Sequence, residues 1–140
     1  DNNMNEGTHI NNITRIASAD LPRGAVVKLT AADSNKVEAC AATDTDAIGV
    51  LLDSVKQGDN VAVELLGVTN RTIVALADGE IAAGAAVCLA ADGAVKAVPA
   101  KGASAQTVQV VGIALAKSVG KGDLVEIIGQ RPQSLTIAAA

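Results

Sequence analysis

Apolar and polar positions alternate along this chain in short bursts, and each burst stops at Gly, Pro or an Asp-bearing turn. Alternation is the mark of a strand, because successive side chains point to opposite faces of a pleated backbone. The first half therefore predicts strands over 10–19, 25–30, 36–40, 47–55 and 61–68, divided by turns at 20–24, 33–35, 43–46 and 57–60. In 25–30, Ala25, Val27 and Leu29 share one face, with Lys28 and Thr30 on the other. In 61–68, Val61, Val63 and Leu65 point inward and Glu64 outward. The second half predicts strands over 72–77, 85–90, 94–98, 107–116 and 123–128, with an edge strand at 134–137 in a tail extended by Pro132. Helix is the rival reading, since Ala is the best helix former. The bursts are too short for it, and Val and Ile favour a pleated surface. One short helix fits 100–106. Many short strands with frequent turns imply an all-β sandwich or barrel.

The pattern is written twice. LPRGAVVKL in the first half answers IAAGAAVCL in the second, AIGVLLDSV answers VVGIALAKSV, and QGDNVAVELLG answers KGDLVEIIG. In register, Gly24 falls on Gly84, Val27 on Val87, Gly49 on Gly112, and Gly58-Asp59 on Gly122-Asp123. Two copies are too few for a solenoid and suit one body of two related halves. The predicted layout is an N-terminal arm over 1–12, one β domain over 13–130 built from pseudo-repeats 13–68 and 71–129, and an extended tail over 131–140.

Composition sharpens this picture. Hydrophobic residues form 49% of the chain, yet Phe, Tyr and Trp are absent, so Val, Ile, Leu and Ala must build the interior. Aromatics usually dominate core and interface energetics; without them an isolated monomer looks marginal, and burial between copies is the natural remedy. Net charge is −4 and the 11 Lys and Arg are scattered, leaving no basic stripe for nucleic acid and no polybasic patch for a membrane. No run is long enough to cross a bilayer as a helix, and the opening DNNMNEGTHINN lacks the regions of a signal peptide. Cys40 and Cys88 are read as reduced thiols of a protein made in a cytosol.

Candidate chemistry is thin. Gly112 to Ser118 has the outline of a phosphate loop, but Ala116 stands where that loop needs a second Gly before Lys117. His9, the only histidine, sits in the arm, away from both cysteines in sequence. Cys88 falls where Lys28 sits in the first copy, on the face turned from the inferred core, and reads as a small apolar contact. Asp33, Asp44 and Asp46 could lend oxygens to a hard cation, without the Gly and Glu of an EF-hand. The Gly-Asp turns near Lys56 and Lys121 echo lipoyl and biotinyl carrier domains, but neither Lys lies at a hairpin tip in the required context. No enzyme, cofactor or metal is expected.

The ordered set I-x-x-G-x-x-V-x-L, then G-I-A, then G-D-x-V-x-V, followed in 81–127 with Ile127 at its last position and more roughly in 21–67, resembles bacteriophage capsid decoration (cement) proteins. The resemblance implies a non-enzymatic, structural virion protein that binds the outer surface of an assembled phage head. It implies trimers, or less often dimers, that clamp neighbouring major capsid proteins, after synthesis in the bacterial cytoplasm. It also implies an N-terminal capsid-binding segment, here Thr8, His9, Ile10, Asn11, Asn12, Ile13, Thr14, Arg15 and Ile16. Such a segment would add a strand to an exposed sheet edge of the shell. The rival functions are a virion or tail module adhering to the host envelope and, further off, the carrier domain.

Overall fold

The computed structural model describes residues 11–68 and 70–140. Ten strands alternate with turns: β1 (Asn12–Ala17), β2 (Val26–Leu29), β3 (Lys36–Ala39), β4 (Gly49–Leu51), β5 (Asn60–Leu65), β6 (Ile73–Leu76), β7 (Ala86–Leu89), β8 (Val95–Ala97), β9 (Gln106–Ala114) and β10 (Leu124–Ile137). β1–β5 close into a barrel in the order β1-β3-β2-β4-β5, and β6–β10 form a second sheet in the order β6-β10-β9-β7-β8. The expected all-β class holds. The one helical turn among the described residues is Ala91–Gly93, between β7 and β8. No helix forms over 100–106, a connection that carries Gly102 and follows Pro99.

The duplication seen in sequence is repeated in the hydrogen-bond register. Gly49 pairs with Leu65 and Leu51 with Val63 in the first lobe; Gly112 pairs with Gly129 and Ala114 with Ile127 in the second. The Ala17 carbonyl accepts the Gly58 N–H, and the Ala77 carbonyl accepts the Gly122 N–H. Both turn glycines sit at positive φ, +88° and +94°, where a Cβ is strained. Gly49 and Gly112 serve a different purpose. A Cβ there would stand 2.3 Å from the carbonyl oxygen of Glu64 or Ile128 on the neighbouring strand, so only a hydrogen fits.

Closure differs between the lobes. In the first, β1 meets β3 in parallel through Ile16↔Lys36 and Ala17↔Val37, and the Ile16 N–H donates to Asn35. In the second only Ala77↔Val95 remains. Its next N–H, from Leu76, donates instead to the Gly24 carbonyl of the first lobe. The second barrel is left open by one rung, and the freed group ties the lobes together. A second tie runs from the Gly93 N–H to the Cys40 carbonyl.

Two cores result. Ile13, Ala25, Val27, Val37, Leu51, Val61 and Val63 fill the first barrel. A five-stranded barrel encloses a narrow bore, and small branched side chains suit it without aromatics. The larger core fills the second lobe and runs across the seam to take in Val26, Cys40, Ala47, Val50 and Leu66 of the first.

Two outward positions turn out to be buried, the first of them by the seam. Glu64 does point out of its own barrel, but the second lobe covers that face and leaves it 2% exposed. The Arg71 guanidinium satisfies it through Nη2 to Oε1 at 3.2 Å and Nε to Oε2 at 3.3 Å. Cys88, expected on an outer face, is fully buried. It pairs with Lys96 on β8 and Val110 on β9, next to a bulge in the β7–β9 ladder.

Candidate functional surface

Of the segment expected to bind a shell, Thr8, His9 and Ile10 lie outside the described residues. Asn12, Ile13, Thr14, Arg15 and Ile16 form β1, and the Asn11 carbonyl already accepts the Leu65 N–H. These residues are therefore part of the barrel wall and not a free arm. Ile13 is buried in the barrel core. Ladder bonds from Asn11 and Ala17 to the β5 side put the odd-numbered backbone groups against β5. Asn12 and Thr14 present theirs to the other side, where β3 begins only at Ile16. On that side Arg15 bridges the Thr14 carbonyl (Nη1, 2.8 Å) and the Ser34 carbonyl (Nε, 3.0 Å). Among the described residues, the first half of β1 is thus paired on one edge only.

The remaining candidate groups do not converge. Asp44 accepts the Ala41 N–H at 2.8 Å and pairs with Lys28 at 3.0 Å. These contacts hold the Asp44 carboxyl below its ordinary range, the backbone bond first and Lys28 second. They raise Lys28 in turn. Asp33 instead caps its own turn through the Asn35 N–H. No three of His, Cys, Asp and Glu cluster as metal ligands among the described residues. Burial pushes the Cys40 thiol up to about 12 and raises Cys88 as well, so both are held as inert thiols. Gly112 lies inside β9 and the Ser118 hydroxyl donates to the Gly79 carbonyl, so no phosphate loop forms. An open depression of about 470 Å³ lies between 20–22 and 54–60. Its Asp20 carboxylate is already engaged with the Gln57 N–H and with Lys56.

What the molecule offers is surface. Ala86, Ile113 and Ile128 lie side by side on the outer face of β7, β9 and β10. Ile113 is 44% exposed and Ile128 52%. A shallow cavity of about 280 Å³ adjoins them, walled also by Leu135 on the β10 extension. That extension, from Gln133 to Ile137, pairs with β9 alone and is an edge. Sequence reading missed this strip, because it showed only alternation and not which outer faces the tandem would cover.

The described residues thus form a two-lobed, aromatic-free β scaffold whose polar groups are dispersed and engaged. The chain belongs to the phage cement protein family, which matches residues 4–128. Its fold is similar to that of the head fiber gp8.5 N base of bacteriophage phi29, with a TM-score of 0.63 over 87% of this chain and 95% of that one, at 17% identity. No curated protein matches it. The protein is accordingly a structural component associated with a phage head. No helix among the described residues is long and apolar enough to cross a membrane.

Proposed function

We propose that this protein is a non-enzymatic cement that binds the outer surface of the assembled head as a homotrimer and bridges neighbouring major capsid proteins. Membership of the cement family is the observation that carries this reading, and the shared fold with a phage head-fiber base supports it. Thr8–Ile16 is the shell-contacting segment. Support comes from the half-paired start of β1, where Asn12 and Thr14 present backbone groups to which an extended shell segment can add as a strand. Arg15 must release the Thr14 carbonyl as that strand arrives. Three such contacts on one oligomer gain strength through effective concentration even if each is weak.

The test is co-sedimentation with expanded heads. Removing 1–12 would strip Asn11 and Asn12 from the barrel, so the cut belongs after residue 10. The shortened protein should keep its strand spectrum and oligomer size and bind heads more weakly. Adding Thr14→Pro, which removes an N–H from the open edge and none from the β5 ladder, should abolish binding. Undiminished binding would show that the shell is held elsewhere.

A further inference from the structure

We propose that the strip Ala86–Ile113–Ile128 on the second lobe is the seat of the next copy of this chain, docked head to tail so that copies close a ring. The inference rests on the reading above only for the ring's size of three; the choice of face comes from the duplication.

In the first lobe the matching row is Val26, Val50 and Glu64, paired side by side across β2, β4 and β5. Those residues are 0%, 1% and 2% exposed because the second lobe lies over them. The second lobe carries the same row in the same register, but there Ile113 and Ile128 remain about half exposed. Its chemistry does not match a face left in water. Where the first lobe has Glu64, the second has Ile128, and the adjoining cavity is walled by Leu135, Gln130 and Gln133 without a charge. An apolar strip of this kind on an otherwise alternating sheet marks an interaction site.

The occupant follows from the tandem itself. The second lobe covers the first with the outer side of β6, the turn at Gly93, and Leu124. Val74 lines the same cleft as Glu64. Leu76 and Gly93 donate to first-lobe carbonyls, and Leu124 closes over Gly24. Their counterparts in the first lobe are Thr14, Ile16, Asn35 and Asn60. All four are exposed or half-buried on the outside of the first lobe. The Ile16 N–H and the Asn35 carbonyl bond each other, so their side chains and not their backbone would cover the next molecule's second lobe. The Asn12 and Thr14 backbone edge stays free for the shell. One partner surface lies in each lobe, so the contact is heterologous and repeats until the rotation closes.

The full chain should sediment as a trimer at micromolar concentration. Ile113→Glu with Ile128→Glu should dissociate it, weakening association by about 100-fold or more, while circular dichroism keeps its strand spectrum. Placing Val74 beside Glu64 inside one chain places Thr14 of one copy beside Ile128 of the next. Oxidising a Thr14→Cys, Ile128→Cys variant should therefore yield covalent trimers, and Ile128→Cys alone should yield none. A monomeric wild type, an oligomer indifferent to the Glu pair, or covalent dimers from Ile128→Cys alone would each overturn the inference. A monomeric wild type whose Glu-pair variant loses head binding would assign the strip to the shell and spare the head-binding reading.

Discussion

Gly49 and Gly112 give the duplication a thermodynamic test. Gly to Ala inside a strand ordinarily stabilises a protein, by about 0.4–1 kcal/mol, because it restricts the unfolded chain. Here the added methyl would lie 2.3 Å from the Glu64 carbonyl oxygen in one lobe and 2.3 Å from the Ile128 oxygen in the other. A carbon–oxygen contact is comfortable near 3.3 Å, so the partner strand must retreat by about 1 Å. The obstacle is backbone that also carries ladder bonds, so no side-chain rotation relieves it. Overpacking of this kind costs about 3 kcal/mol, the upper end of its usual range. At this chain length that lowers the melting midpoint by about 10 °C. Gly49→Ala and Gly112→Ala should fall together in urea and thermal unfolding at one fixed protein concentration, since an oligomer's midpoint depends on it. Gly120→Ala is the control: its φ is ordinary and nothing lies within 4 Å of the added carbon. It should be neutral or slightly stabilising. A loss below about 1 kcal/mol at both strand glycines would refute the register assigned to the β4–β5 and β9–β10 pairs.

Three further outcomes follow from the seam and the polar ties. Arg71→Met leaves the Glu64 carboxylate buried without its fork and should cost about 2 kcal/mol, less than a fully buried pair because the guanidinium is half in water. Adding Glu64→Ile, the residue type of its counterpart Ile128, should recover most of that loss in the same denaturation assay. Cys40 and Cys88 should resist a soluble disulfide reagent at neutral pH and react only on unfolding. Because the folded Cys40 value is raised to about 12 from an ordinary 9.0, its neutral form favours folding below pH 9.0 and that support fades as pH climbs toward 12. For Asp44 the sign is reversed. Its lowered carboxyl stabilises the tie to Ala41 and Lys28 above the ordinary aspartate value of about 3.9, and the tie is lost as pH falls through the lower folded value. The gap in melting midpoint between wild type and Asp44→Asn should therefore narrow as pH falls below the ordinary aspartate value; a gap that holds constant or widens on acidification would contradict the assignment.

Local chemistry made much of this fold legible in the sequence. Alternation around Val27, Val61 and Val63 marks the barrel interior, and Gly58-Asp59 and Gly122-Asp123 mark matched turns. The paired glycines 49 and 112 align because the same strand approach recurs in each lobe. What stayed hidden depends on how one repeat lies against the other. Glu64 sits on an outward position of its strand, and a single repeat says nothing about which outward face its partner will cover. The same blindness concealed the exposed Ile113–Ile128 strip. Cys88 is a separate case, buried within its own lobe beside a bulge that alternation does not reveal. The proposed binding segment was half legible. The run from Ile10 to Ala19, which begins to alternate, could be read as an arm poised to add to a foreign sheet, but β5 has already claimed one edge of β1. Only the Asn12 and Thr14 edge keeps that option.

The central claim is that this protein works by adhesion to the outside of an assembled head. Cryo-electron microscopy of expanded heads, with and without the purified protein, tests it most directly. Added density should stand on the outer surface, three copies to a knob, each knob spanning adjacent major capsid subunits. Heads left bare at saturating protein, or density confined to the tail, would contradict it.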